Sequence, residues 1–141
     1  MPDNQTSYEI ELLCESPLWW RFNVYIMVAG YDAGGNVAAF NSIRDHVYDV
    51  DLSAQGRTAP SGAGTRKLRV VTDPIYYGHL YIYAVANTLP DSRDIKDTPP
   101  FPAELQISSE GKILKREELS VNQLGGLTIS AYPIGHAPSL Q

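Results

Sequence analysis

The chain of 141 residues suits one domain, and at that length it buries about two thirds of the surface its unfolded form exposes, so no metal or disulfide is needed to hold a core. Hydrophobic residues make up 43% and charged residues 19%, a globular mixture far from disordered composition. The net charge of −5, with its basic residues scattered, argues against a nucleic-acid partner, which needs Lys and Arg gathered on one face.

Residues 1–6 form a polar tail without the charged start and apolar stretch of a secretory leader. Cys14 is the lone cysteine, so no intrachain disulfide forms, and together these features favour the cytoplasm. Next along the chain, Tyr8, Ile10 and Leu12 alternate with Glu9 and Glu11, the period of two that marks a half-buried strand.

The stretch SPLWWRFNVYIMVAG, residues 16–30, holds both tryptophans. Its apolar run, Leu18 to Ala29, falls well short of the roughly 20 residues of a spanning helix and contains Arg21 and Asn23, so membrane insertion is not expected. Alternation instead predicts a strand with Trp20, Phe22, Val24, Ile26 and Val28 facing the core. Trp19, Arg21, Asn23, Tyr25, Met27 and Ala29 then face outward. Asp32-Ala33-Gly34-Gly35-Asn36 reads as a hairpin turn, its glycines supplying positive φ.

Tyr48, Val50 and Leu52 alternate with Asp49 and Asp51 and predict another strand, followed by a flexible Gly/Ala/Ser/Thr-rich loop over residues 53–65. Leu68 and Val70 alternate with Lys67 and Arg69, and Leu80, Ile82 and Ala84 with Tyr81 and Tyr83. A Pro-rich acidic loop occupies residues 89–102. Leu105 and Ile107 flank Gln106. Lys112 to Leu119 suggests a turn or two of helix, the alternative being a short strand ending at Lys115. Leu127, Ile129 and Ala131 alternate with Thr128 and Ser130, and residues 133–141 are expected to be a loose tail. Seven to nine short strands with two long loops and little helix predict an all-β, antiparallel, Greek-key-like β-sandwich in a single domain spanning residues 1–141.

Catalytic and cofactor signatures are absent. His46, His79 and His136 lack the spacing of a zinc site, and Gly56, Gly62 and Gly64 precede no helical pattern that a phosphate loop requires. Cys14, just past an alternating strand, reads as a structural thiol. Asp91, Asp94 and Asp97 share a loop, but Arg93 and Lys96 interleave with them, so a solvated acidic loop is favoured over a calcium site. No cofactor or metal is expected.

The tyrosines are more informative. If the strands over 18–29 and 79–86 are neighbours, Trp19, Arg21, Tyr25, Tyr81 and Tyr83 form an outer aromatic patch, a composition enriched where proteins grip partners. The leading expectation is a non-catalytic interaction domain that binds a protein partner or itself through this face or through an edge strand. A carbohydrate-binding module on the same aromatics and a small hydrolase or isomerase with a site at one end of the sandwich are the alternatives.

Overall fold

The computed structural model describes residues 5–51, 57–60 and 64–135. Eight strands follow one another along the chain: β1 (Tyr8–Cys14), β2 (Phe22–Tyr31), β3 (Val37–Asp45), β4 (Arg66–Val71), β5 (Tyr77–Ala86), β6 (Phe101–Ser109), β7 (Lys112–Val121) and β8 (Leu127–Gly135). They form two four-stranded antiparallel sheets, ordered β4-β1-β6-β7 and β3-β2-β5-β8, packed face to face as a β-sandwich. β4 returns to lie beside β1 and β5 beside β2, the long-range return of a Greek-key-like path.

From Phe22 onward alternation places the core where the sequence predicts it; Trp20, expected on the core face, is buried beside Tyr48 and stays outside the cluster that Trp19 joins. Ile10 and Leu12 of β1, Val24, Ile26 and Val28 of β2, Leu80 and Ile82 of β5, and Leu105 and Ile107 of β6 meet between the sheets, all buried. Burying each such side chain stabilises the fold by about 1.5–3 kcal/mol relative to leaving it exposed. The hairpin between β2 and β3 also forms as expected: Gly35 has φ 85°, and the Asp32 carboxylate accepts hydrogen bonds from Gly34 N and Asn36 N, each 2.9 Å. These donors hold its carboxyl below the usual range.

Several expectations are overturned, among them the extent of the loop over 89–102, whose last two residues, Phe101 and Pro102, open β6. The two-beat pattern does not extend back to Trp19. Pro17 and the Ser16 hydroxyl, which accepts from Leu18 N at 3.1 Å, turn the chain into a single 3-10 turn, Trp19–Arg21, ahead of β2. Freed from the strand's alternation, Trp19 points inward at 2% exposure and meets Phe101 edge-on, with ring centroids 6.4 Å apart. Residues 112–119 form neither a helix nor a strand ending at Lys115 but the greater part of β7, because Glu110 (φ 52°) and Gly111 (φ 78°) make a tight turn that folds the segment back on β6. Residues 47–51 carry no strand despite their alternation, and Leu52 lies outside the described residues. Finally, Pro133–Gly135 belong to β8 rather than to a tail, while residues 136–141, His136 among them, lie outside the described residues. Of the loop expected over 53–65, residues 53–56 and 61–63 likewise lie outside them, as do residues 1–4 of the N-terminal tail.

Two local devices shape the β2–β5 sheet. The first is a glycine pair. Gly30 and Gly78 oppose each other across β2 and β5, and Ile75, fully buried, packs on both. A Cβ on Gly30 would lie 2.2 Å from Ile75 Cγ2, so only glycine admits this contact. The second is a polar clamp. Asn23 falls on the outward side of β2 yet is fully buried. Its amide donates to Tyr48 O at 2.7 Å, and its oxygen accepts from Val47 N at 2.9 Å and Asn87 Nδ2 at 3.0 Å. Asn87, also buried, donates in addition to Trp20 O at 3.1 Å. Residues 47 and 48, following β3, are thereby tied over that end of the sheet, and Tyr48 meets Trp20 edge-on with centroids 6.1 Å apart.

Replacing Asn23 strips partners from Val47 N and Tyr48 O and leaves Asn87 half satisfied. Asn23→Ala is expected to cost about 2–4 kcal/mol, read as a lowered midpoint in urea unfolding with an unchanged slope.

Candidate functional site

The outer faces of the two sheets differ in kind. On the β4-β1-β6-β7 sheet many outward residues are charged and pair with one another, beside the exposed apolar side chains of Val71, Ile113 and Leu114. Arg69 pairs with Glu9, Lys67 with Glu11 at 3.6 Å, and Arg116 with Glu104 at 3.3 Å and with the Gln106 side chain at 3.0 Å. Arg66 at the start of β4 pairs with Asp45 at 3.6 Å. The cations of β4 are therefore all committed to carboxylates.

The β3-β2-β5-β8 sheet carries the aromatics. β2 and β5 are hydrogen-bonded neighbours, and their register sets Tyr25 opposite Tyr83 and Met27 opposite Tyr81. All four side chains are half-buried. The adjacency assumed for the patch is real, and three of its five residues, Tyr25, Tyr81 and Tyr83, share one face. Trp19 does not join them, since it is in the core. Arg21 belongs to the 3-10 turn, where its guanidinium lies 5.4 Å from the Trp20 ring centroid, and buried Asn23 separates it along the chain from Tyr25.

The patch is longer than the sequence suggests. Tyr31 and Tyr77 stack with ring centroids 5.0 Å apart and 24° between planes, and His79 contacts both at 5.5 and 6.2 Å. Tyr31 has the same strand parity as Tyr25, and Tyr77 the same as Tyr81. Tyr77 precedes Gly78 and Tyr31 follows Gly30, both just beyond the residue ranges 18–29 and 79–86 from which the patch was assembled. On β3, Phe40 pairs with Ala29 of β2, which in turn pairs with His79 of β5. Phe40 is 62% exposed. An aromatic stripe thus runs from Tyr31, Tyr77 and His79 through Tyr81 to Tyr25 and Tyr83. No hydrogen bond among the described residues engages the hydroxyls of Tyr25, Tyr81 or Tyr83.

Chemistry elsewhere is sparse. Cys14 is 1% exposed, with its sulfur 3.7 Å from Pro102 O, and burial pushes its thiol above the ordinary value, opposite to what a nucleophile requires. His46 lies just after β3 rather than starting a strand, and its Nε2 meets Asp49 Oδ1 at 2.9 Å on the open surface. His79 sits inside β5, in the aromatic stripe. In the loop before β6, Asp94 accepts from Lys96 N at 3.0 Å and Asp97 from the Ser92 hydroxyl at 2.9 Å, so those carboxylates serve local turns. No group of three or more His, Cys, Asp or Glu side chains among the described residues is placed to hold a metal ion. A cavity of about 210 Å³ is lined by Leu13, Glu15, Pro102, Ala103, Glu104 and Glu118; Cys14, between Leu13 and Glu15 with its sulfur against Pro102 O, adjoins it but is buried, with its thiol pKa raised. A cleft of about 390 Å³ between β7 and β8 has Lys115 as its sole charged lining residue. Among the described residues no helix is long and apolar enough to cross a membrane.

No family model, curated protein or solved structure matches the chain.

Two measurements check the local assignments. With Trp19 and Trp20 at 2% and 6% exposure, the tryptophan remaining in Trp20→Phe and in Trp19→Phe is expected to resist both acrylamide and iodide; ready quenching in the Trp20→Phe protein would return Trp19 to the surface. Cys14 is expected to react with a disulfide reagent at the slow rate of global unfolding in native buffer and at once in denaturant.

Proposed function

We propose that the chain is a non-catalytic binding domain that grips a protein surface with the outer face of β2 and β5. The observation that carries this reading is the contrast between the two sheets: one outer face is dominated by paired charges, while the other presents a stripe of half-buried tyrosines. Tyrosine gives large contact area at a modest loss of side-chain freedom, and its hydroxyl supplies a polar tip for a partner's backbone. Tyr25, Tyr81 and Tyr83 stand on paired strands and are half-buried, so their positions on the face are set before a partner arrives.

Isolated aromatics on a sheet also stabilise it through cross-strand pairing, and a binding role is separable from that one by mutation. The double variant Tyr81→Ser/Tyr83→Ser is expected to keep its far-UV spectrum while losing partner association by about tenfold or more, as each ring of an anchor pair contributes about 1–2 kcal/mol. Unchanged association in a folded double variant would remove this face as the binding surface. A signal on a glycan array, lost in the same variant, would move the reading to a sugar platform on the same rings.

A further inference from the structure

The sandwich has four edge strands, and three carry devices that discourage pairing. β8 is broken at Ala131, which sits at φ 52°, and carries Pro133, which has no N–H to donate. β7 bears Lys112, Lys115, Arg116, Glu117 and Glu118, and β4 bears Arg66, Lys67 and Arg69. β3, reading VAAFNSIRD, differs from them. It has no proline, and its charges are confined to Arg44 and Asp45 at one end. Its single irregularity is at Ala38, where the register with β2 shifts, and from Ala39 to Asp45 the pairing is unbroken. On its other side no strand pairs with it among the described residues. Val37 and Phe40 stand out from this edge at 74% and 62% exposure.

We infer that β3 is the seam of a two-fold homodimer, pairing antiparallel with β3 of a second copy about Ser42. Self-complementarity of the regular segment selects both the partner and the register. Centred on Ser42, Ala39–Asp45 meets its own reverse: Ala39 faces the partner's Asp45, Phe40 the partner's Arg44, and Asn41 the partner's Ile43. The face alternation is kept, so outward residues stay outward. Phe40 and Arg44 are both outward and exposed. Unlike the cations of β4, Arg44 has no ion pair or hydrogen bond among the described residues. The dimer therefore places each bare phenyl ring opposite an uncommitted guanidinium, twice, a cross-strand cation–π pair. Like charges are not opposed anywhere along the seam. Centring one residue earlier, on Asn41, would set Arg44 against the Ala38 irregularity and Phe40 against Ser42, wasting both groups. The contact is isologous, so it closes at two copies rather than growing. It joins the two β3-β2-β5-β8 sheets into one of eight strands and sets two aromatic stripes side by side.

The inference rests on reading the chain as a binding module, but not on the β2–β5 tyrosines as its contact surface. A seven-residue edge seam lies at the small end of specific interfaces, so a dissociation constant on the order of micromolar is expected. Sedimentation equilibrium of the full chain from about 1 µM to several hundred µM should show a monomer–dimer transition. Phe40→Lys, which sets a cation against the partner's Arg44, and Arg44→Ala should each weaken it by about tenfold or more without altering the far-UV spectrum. Ser42→Cys, on the two-fold axis, should form a disulfide-linked dimer on mild oxidation, whereas Ala38→Cys should not. Tyr81→Ser/Tyr83→Ser should leave the dimer intact. A chain monomeric throughout, a dimer indifferent to Phe40→Lys, or cross-linking at Ala38→Cys in preference to Ser42→Cys would each overturn the seam. Loss of the dimer only in the tyrosine variant would do the same and assign self-association to the β2–β5 face.

Discussion

The clamp formed by Asn23 and Asn87 governs how this sandwich presents itself. Two fully buried amides lie side by side, joined by a 3.0 Å hydrogen bond, and between them they take up backbone groups from the 3-10 turn and from the residues after β3. A buried amide without partners costs several times what a satisfied one contributes, so the arrangement is close to all-or-none. It has a consequence for the outer surface. By drawing residues 47 and 48 across the end of β2, the clamp covers Asn23 and Trp20 and decides where the exposed aromatic stripe begins, at Tyr25 and Tyr83. Arg57 reinforces the same junction, donating to Asp49 O and Asn87 O at 2.9 Å and lying over the Tyr48 ring at 5.0 Å.

At the opposite end of the stripe, the glycine pair has the complementary effect. A side chain at Gly30 would collide with Ile75 and one at Gly78 with the Ala29 carbonyl, and their absence lets Ile75 seal the core from beneath while β2 and β5 run on to Tyr31 and Tyr77. The stacked Tyr31–Tyr77 pair and His79 exist on this face because the strands continue past glycines that in isolation weaken them. One sheet surface is thus bounded by a polar clamp at one end and a glycine pair at the other. Between them the tyrosines of β2 and β5 are positioned by the register of their strands, and the hydroxyls of Tyr25, Tyr81 and Tyr83 make no hydrogen bond among the described residues.

The electrostatics sharpen the division. Cations on the β4–β1 side are paired with neighbouring carboxylates. Such exposed pairs contribute little to stability individually, and their effect is to make that face polar, hydrated and unattractive to apolar partners. Arg44 stands apart on β3, at the border of the aromatic face, with Tyr25 as its neighbour on β2. Edge and face are consequently contiguous.

Much of this was legible in the sequence, for a specific reason. β1, the central part of β2, β5, β6 and β8 bury one face each, so their alternation of apolar and polar residues is the packing itself written in residue types; the hairpin at Asp32–Asn36 is equally local, set by glycine and by an aspartate bonding its own backbone. A sandwich of seven to nine strands and the outward facing of Tyr25, Tyr81 and Tyr83 followed from those patterns; that the three share one face rested on an assumed adjacency of β2 and β5, which the register supplies. Where burial depends on something distant, the pattern misleads. β3 is an edge with little buried, and its sequence hardly alternates; β7 is made of good helix formers and becomes a strand because β6 offers a ladder across a tight turn. Residues 48–52 alternate as a strand would, but Tyr48 answers to Trp20 and Asn23 instead. Trp19 turns inward because Pro17 and Ser16 break the strand before it and because Phe101, far along the chain, offers an edge to pack on. Local periodicity determined which residues form strands and which side of each faces the core. Only the tertiary structure decided which strands are neighbours and which edges stay unpaired, because hydrogen bonds between distant segments are not encoded in the spacing of either segment alone.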